Sequence, residues 1–478
     1  AALGGCLGMF LSAGGLHFLV SLVPADKIDS MPFLRGIGLS PLTVVIGCCL
    51  SLLAGVLFAI IPAMRTALSN MMENLKQGAR GQAGTTWRRF GSNLVIVEVA
   101  IAIVLMVGAG LLGKSLYLLL HIDFGFKPDH LAVVQTSWGP GRYDTDQEEV
   151  VLGHRILEGI SRLPGVQSVA LSNAPPVDSA WGTSLFHVAG QPNDKDSNEV
   201  IDRHVSSTYL TTLKARLVRG RYFREDEDAS KPPVVIVNRT FASTYFPGEN
   251  PIGKQIYCNC RPKSPMQIMG VVDDIKEGAL EGKNWSVAYV PYNQTPWSWP
   301  AVIVRTSQDA ASLLPEMTET IHRIDPLISV SQQETMTQRI DQSPSAYLHR
   351  SSAVLVGLFA AIAFLLSVVG LYGVIAYSVS QRTREIGVRM ALGAERSAVY
   401  RLILGEAGRL VLIGIVSGLA CSLAAAALMR SLLFGVRPWD LPTLAAAAVV
   451  LGVSALLASY IPARRAASVN PVEALRAE

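Results

Sequence analysis

The sequence predicts an α-helical membrane protein of six spans, with a large α+β domain outside the membrane, hung between the third and fourth span. Three observations predict it. Half of the 478 residues are hydrophobic and only 16% are charged, against roughly 25% in an ordinary soluble domain. The charges are unevenly placed, so that long stretches carry none. One polar stretch, 121–350, holds 22 Lys and Arg against 27 Asp and Glu, a net of −5 in a chain whose formal charge is +4. A single soluble core cannot absorb this much apolar surface at this length. Global disorder is excluded by the apolar composition and small net charge. Six cysteines in 478 residues exclude a disulfide scaffold.

The spans follow from the gaps between charges. No Asp, Glu, Lys or Arg occurs over 1–25, and none in the 29 residues between Arg35 and Arg65. The same holds for the 31 residues between Arg350 and Arg382, the 20 between Arg409 and Arg430, and the 23 between Asp440 and Arg464. The stretch 90–113 has one acid, Glu98. A helix needs about 20 apolar residues to cross roughly 30 Å of hydrocarbon, so each segment qualifies. The chain opens inside an apolar stretch, without an initiator Met or a basic start. It is therefore expected to begin in the interior of a longer protein.

Orientation follows from basic residues in the short loops. The 64–91 loop holds five of them (Arg65, Lys76, Arg80, Arg88 and Arg89) and one acid, Glu73. The 381–409 loop holds six Arg and three Glu, and the 464–478 tail three Arg and two Glu. The loops 26–35 and 430–440 are nearly balanced. Basic loops alternate with neutral ones, which places 64–91, 381–409 and the C-terminus in the cytoplasm. The 121–350 domain then lies on the far side.

Inside that domain a pattern occurs twice. Strand-like LAVVQTS (131–137) precedes a helical stretch near 147–163 and then VQSVALS. Strand-like AVIVRT (301–306) precedes a helical stretch at 309–324 and then LISVSQ. Two β-α-β units predict a split ferredoxin-like sandwich. A β-rich insert is expected between them, at about 205–300, where PPVVIVN and QIMGVVDD lie among Pro, Gly and Asn turns.

A repeat links the two ends of the chain. Ile61-Pro62-Ala63-Met64-Arg65 returns as Ile461-Pro462-Ala463-Arg464-Arg465, and the offset of 400 holds for Asn70 and Asn470, Glu73 and Glu473, and Leu75 and Leu475. Gly4 and Gly8 correspond to Gly414 and Gly418. Glycines four apart let helix backbones approach closely in lipid, so these four are candidate helix-packing positions. The domain plan is therefore as follows: the last two spans of a first unit (1–63), a basic linker (64–91), a span (92–120), the large domain (121–350), a span (351–380), a cytoplasmic loop (381–409), two spans (410–463) and a tail (464–478).

The 381–409 loop opens Gln381-Arg382-Thr383-Arg384-Glu385-Ile386-Gly387-Val388-Arg389-Met390-Ala391-Leu392-Gly393-Ala394. This resembles the RTREIGIRxALGA loop of the FtsX/MacB superfamily of ABC transporter permeases. Asn470-Pro471-Val472-Glu473-Ala474-Leu475-Arg476 is similar to that family's P-x-E-A-L-R tail. Tyr245-Phe246-Pro247-Gly248-Glu249-Asn250-Pro251-Ile252-Gly253-Lys254 resembles its periplasmic core. The likeness covers essentially the whole chain, and the internal repeat looks like the duplicated "orphan" MacB-type permeases, of which this would be the C-terminal part.

The resemblance implies a bacterial inner-membrane permease subunit worked by a separate cytoplasmic ABC ATPase. ATPase closure would pass through the helices to the periplasmic domain, for efflux or extraction of substrates from the periplasmic side. A periplasmic adaptor, an outer-membrane channel, and a second permease repeat or second copy are further partners it allows. The loop chemistry fits separately. A short helix carrying Arg382, Arg384, Glu385 and Arg389, with Gly387 within it and Gly393 breaking it, can seat in a groove of a soluble partner, where Arg offers rigid charged forks to carboxylates. The bland reading is that these Arg only obey the rule of positive loops inside. A rival function is a non-transporting regulator or scaffold whose outer domain activates a partner such as a cell-wall hydrolase.

Other motifs carry less. Gly108 to Ser115 matches GxxxxGK[ST] letter for letter, but a phosphate loop needs a strand before it and free amides. This string closes a membrane span. No nucleotide site, enzyme activity or cofactor is therefore expected in this chain, and ATP is left to the partner. Glu98 and His17 lie inside spans and read as packing or interfacial groups. Cys258-Asn259-Cys260 could be two thiols or a local disulfide; a metal site would want further ligands nearby, and no metal is expected. The run Glu225-Asp226-Glu227-Asp228 lacks the spacing of a calcium loop. An acidic soluble domain argues against nucleic acid.

Overall fold

The computed structural model describes residues 2–21, 41–49, 51–53, 55–56, 82–139, 141–178, 182–189, 198–259, 264–392 and 395–468. The chain divides into two compact units, one of Leu118–Tyr347 and one of Ala1–Tyr117 with Leu348–Glu478.

In the second of these units, helix α1 is Ala2–Ser21 and a short apolar helix, α2, is Pro41–Leu53. Four long helices follow: α3 (Gln82–Leu120), α9 (Pro344–Gln381), α11 (Arg396–Leu428) and α12 (Leu441–Ala467), with the short α10 (Thr383–Ala391) between α9 and α11. Among the described residues four helices, not six, are long and apolar enough to cross a membrane: these four, with the span in α3 running Gly91–Leu120. This corrects the expectation of six. Helix α2 is too short, at roughly 20 Å for its length, and the expected first two spans (1–25 and 36–64) fall partly outside the described residues. The four helices share one core, in which Val99, Ala102 and Ile103 of α3 meet Leu371 and Ile375 of α9, Ala407 and Val411 of α11, and Leu451 and Ala455 of α12.

The other unit is a single eleven-stranded sheet with helices. One half of it is built from β1 (Leu131–Ser137), α4 (Asp146–Ser161) and β2 (Val166–Ser172), and from β10 (Ala301–Thr306), α7 (Ala310–Ile324) and β11 (Ser329–Thr335). Its strands run in the order β11-β1-β10-β2 and all neighbours are antiparallel. The two β-α-β units are thus interleaved rather than side by side. Thr145 caps α4 with a reciprocal pair of bonds to Glu148, and Asp309 caps α7 by accepting from the Ser312 amide, as helix starts with unpaired amides require. Leu152, Ile156 and Ile160 of α4 and Leu313, Met317 and Ile321 of α7 recur at helical spacing and are buried against Val134, Val169 and Val304 of the sheet.

The other half comprises β3 (Thr183–Val188), β4 (Asn198–Val205), β6 (Val234–Asn238), β7 (Gln255–Cys258), β8 (Met266–Val272) and β9 (Val287–Pro291), with β5 (Leu217–Gly220) paired to β8. Here β4 pairs with β3, β3 with β7, β7 with β8, β8 with β6, β6 with β9, and β9 back with β4. These pairings close a six-stranded ring, which removes the open edges that would invite another chain. Phe186, Val200, Val237, Ile256, Ile268 and Val290 fill it, with Phe241 from the following helix. The β-rich part therefore runs from Thr183 to Pro291, not from about 205. Both β3 and β4 join it because each pairs with a strand far along the chain. Cys258 is disulfide-bonded, and Cys260 lies outside the described residues.

Where β4 joins the two halves, a charge is wholly buried. Arg203 and Glu277 side chains are each 1% exposed, and Arg203 Nε donates to Glu277 Oε2 at 2.9 Å. The hydroxyls of Tyr289 and Tyr209 donate to Glu277 Oε1 at 2.9 and 3.4 Å. Burial, the largest single influence, would lower the Arg203 pKa, but Glu277, Tyr209 and Tyr289 together outweigh it and the guanidinium titrates above its ordinary value. Burial, then Glu277, pushes both tyrosines well above theirs. Arg305 on β10 is buried too, and its guanidinium donates to the carbonyls of Thr212, Asp129 and Lys127 at 2.6, 2.9 and 2.7 Å.

Candidate functional site

The loop between α9 and α11 folds into α10, a helix of nine residues. Its two faces differ. Ile386 and Gly387 are buried, with Ile386 only 3% exposed. Glu385, Val388, Arg389 and Leu392 are exposed, and they stand at i, i+3, i+4 and i+7, on one side of a helix. Leu392 is 83% exposed and Val388 39%. Arg389 Nη2 donates to Glu385 Oε1 at 2.5 Å, one turn back. The exposed stripe is therefore two apolar side chains flanked by one salt-bridged pair. A solvated pair of this kind adds only about 0.3–0.5 kcal/mol to the helix, so helix stability does not require it.

Arg382 behaves differently from the other charges of the loop. Its Nη1 donates to Glu406 Oε2 of α11 at 3.3 Å, and both side chains are largely covered. The structure thus places Arg382 against α11 and apart from the exposed stripe. Arg384 lies in α10, but its side chain is outside the described ones, and Gly393 is outside the described residues altogether.

The glycines separate in the same way. A methyl group at Gly414 would stand 2.7 Å from Val99 Cβ, and one at Gly418 would stand 2.8 Å from Ile103 Cβ and 2.9 Å from the Ala100 carbonyl. Both lie where α11 crosses α3 closely. Among the described residues, a methyl at Gly4 or Gly8 would meet nothing within 4 Å. In α1 the close neighbour belongs instead to Gly5, 2.6 Å from Ser51 Oγ by the same measure. The Ile61–Arg65 copy of the repeat lies outside the described residues, as does the tail beyond Ser468.

The string Gly108–Ser115 has a structural use. It lies inside the continuous helix α3, whose amides are taken by the helix itself, so no phosphate cradle exists there. Gly110 lets α12 approach, since a methyl on it would stand 2.6 Å from Thr443 Cγ2. Lys114 Nζ pairs with Asp440 Oδ1 at 2.6 Å, and buried Ser115 Oγ accepts from the Phe434 amide at 2.8 Å. Asp440 also caps α12 through the Thr443 amide. These bonds tie one end of α3 to the turn before α12. Glu98 faces α9, with its carboxylate against Gly370 and its carbonyl accepting from Ser367 Oγ at 3.1 Å. Among the described residues no group of three metal-ligating side chains converges.

Sequence reasoning missed Glu406 of this site. Its signal was present, as the one acid of α11, set between Arg401 and Arg409.

Comparison with known proteins gives two matches. The MacB-like periplasmic core domain matches residues 92–320, and the FtsX-like permease C-terminal family matches 357–471. The macrolide export ATP-binding/permease protein MacB of Marinobacter nauticus is 28% identical over 273 residues, which are 55% of this chain and 41% of that protein. The pyoverdine export ATP-binding/permease protein PvdT of Pseudomonas putida is 28% identical over 55% of this chain and 40% of its own length. The ABC transporter permease YknZ of Bacillus subtilis is 23% identical over 67% of this chain and 78% of its own. The chain thus spans about two fifths of the first two relatives, 41% and 40%. The crystal structure of the periplasmic region of MacB from Actinobacillus actinomycetemcomitans aligns with 18% identity over 47% of this chain and 97% of that one, at a TM-score of 0.32. Four apolar helices and a match to a periplasmic core domain fit a multi-pass inner-membrane protein. With the two family matches at 92–320 and 357–471 set on this architecture, the chain belongs to the FtsX/MacB superfamily of ABC transporter permeases.

Proposed function

We propose that this chain is the permease part of a MacB/FtsX-type transporter that takes motion from a separate cytoplasmic ATPase and passes it to a periplasmic domain. The outcome is efflux or extraction of substrates from the periplasmic side. The observation that carries the reading is the exposed stripe on α10. A short helix with apolar Val388 and, at its end, Leu392 outward, beside a salt-bridged Glu385 and Arg389, is suited to a groove in a soluble partner. A further support for an ATP-driven permease is the ATP-binding/permease names of the relatives. The repeat of Ile-Pro-Ala at an offset of 400 supports two permease units on one chain. The strand order β11-β1-β10-β2 supports reading the two split units as ferredoxin-like.

The reading fixes an orientation, with α10 in the cytoplasm and Leu118–Tyr347 in the periplasm. Lys283 is exposed in that unit, and so is Leu392 directly after α10. In intact cells an impermeant maleimide should label Lys283→Cys but not Leu392→Cys. Breaking the inner membrane should then expose Leu392→Cys. The opposite order would overturn the proposed function, because moving an Arg to mid-bilayer costs about 2.5–3.5 kcal/mol and the Arg-rich loops hold the topology.

A further inference from the structure

The ion pair of Arg382 and Glu406 joins the N-terminal end of α10 to α11. Arg382 precedes the first turn of α10 and Glu406 lies within α11, with 3.3 Å between Nη1 and Oε2 and side-chain exposures of 27% and 29%. Beside the pair is a small cavity lined by Ile375, Ser378, Val379, Arg382, Ile386 and Glu406. Leu402 and Ile403 of α11 complete its apolar lining, and the ion pair is the polar contact between α10 and α11 beside it. A helix of nine residues is also too short to hold its position unaided. Its attachments are Ile386 and Met390 against the helical core, the chain on either side, and this pair.

We propose that Arg382 and Glu406 form the joint that locks α10 onto α11, so that the two move as one lever, and that Glu406 is a positioning residue of the coupling machinery. A push on the exposed stripe is then passed to α11 instead of being lost in rotation of α10. The source of the push rests on the function proposed above, whereas the joint stands on its own geometry. A guanidinium and a carboxylate that are partly withdrawn from water and meet directly suit this task, because breaking one partner leaves the other under-solvated.

Hydrogen exchange of the whole chain in phospholipid nanodiscs tests the joint without any ATPase. Glu406→Gln and Arg382→Gln should each speed exchange of amides 383–391 by about tenfold and leave 410–428 protected. The exchanged pair Arg382→Glu with Glu406→Arg should return 383–391 towards wild type. Unchanged exchange in both single variants, or no recovery in the exchanged pair, would overturn the joint. A second readout uses the ATP-binding protein that co-purifies from the host's membranes. Glu406→Gln should retain it in wild-type amounts while stimulated hydrolysis falls severalfold. Loss of the co-purifying protein would make Glu406 a contact residue and end the proposal. If wild type itself recovers no ATP-binding protein, the proposed function fails, and the exchange measurement still decides the joint.

Discussion

Gly418→Leu should abolish the native arrangement of the four long helices. A single methyl at Gly418 already meets the α3 backbone, 2.9 Å from the Ala100 carbonyl and 3.0 Å from its Cα. Backbone atoms cannot rotate aside as a side chain can. Gly418→Ala should therefore cost about 1–3 kcal/mol, the usual range for overpacking, and the larger leucine should separate α11 from α3. Val99, Ile103, Ala407 and Val411 would lose their shared core. Gly357→Ala is the control, because its methyl would meet nothing within 4 Å. Thermal unfolding of purified protein in mild detergent reads the series. Gly418→Ala should unfold lower than wild type, Gly418→Leu should be recovered only as aggregate, and Gly357→Ala should match wild type. Equal behaviour of Gly418→Ala and Gly357→Ala would show that the helices do not approach as described.

Glu277→Ala should be the most damaging single change in the sheet unit. It leaves Arg203, 1% exposed, with no counter-charge, and removes the acceptor of Tyr289 and Tyr209. Breaking one side of a buried pair costs about 3–5 kcal/mol, which for a domain of this size lowers the unfolding temperature by roughly 10 °C. Replacing both, as Arg203→Met with Glu277→Leu, should recover part of the loss, since an apolar substitute removes both charges from the interior. Scanning fluorimetry of the intact protein distinguishes the two. A single variant that melts like wild type would mean that the pair is solvated in solution.

The parts of the fold that were legible in the sequence are those set by local pattern. Strand-like apolar runs at 131–137 and 301–306, and a helix-like stretch after each, located β1, α4, β10 and α7 to within a few residues. The ring was not legible. It closes through the parallel pairing of Ile201 with Val287 and of Val205 with Pro291, and no local pattern announces a partner so distant. Arg203 and Glu277 are hidden for the same reason, being 74 residues apart. In α10 the motif supplied the residues, whereas their directions needed the fold. Arg382 and Ile386 are four apart and turn towards α11 and the helical core, while Glu385 and Arg389, also four apart, face outward. Likewise, glycines four apart announce a close approach, but not which helix makes it. At Gly414 and Gly418 it is α3, whereas at Gly4 and Gly8 a methyl would meet nothing within 4 Å among the described residues.

The account turns on whether the exposed stripe of α10 seats a separate ATPase. The most direct measurement is the amount of ATP-binding protein that co-purifies with the chain from its host's membranes. It should be compared between wild type, Leu392→Asp and Glu385→Lys. Leu392 is 83% exposed and Glu385 is exposed and pairs with Arg389 on its own helix, so neither change disturbs the core of the four helices. The account predicts that both variants insert normally and lose about tenfold or more of the partner, as expected when a central contact is removed. A loop that serves topology alone predicts that Glu385→Lys is harmless, since it adds a favourable positive charge. Wild-type recovery of the ATP-binding protein in both variants would contradict the account.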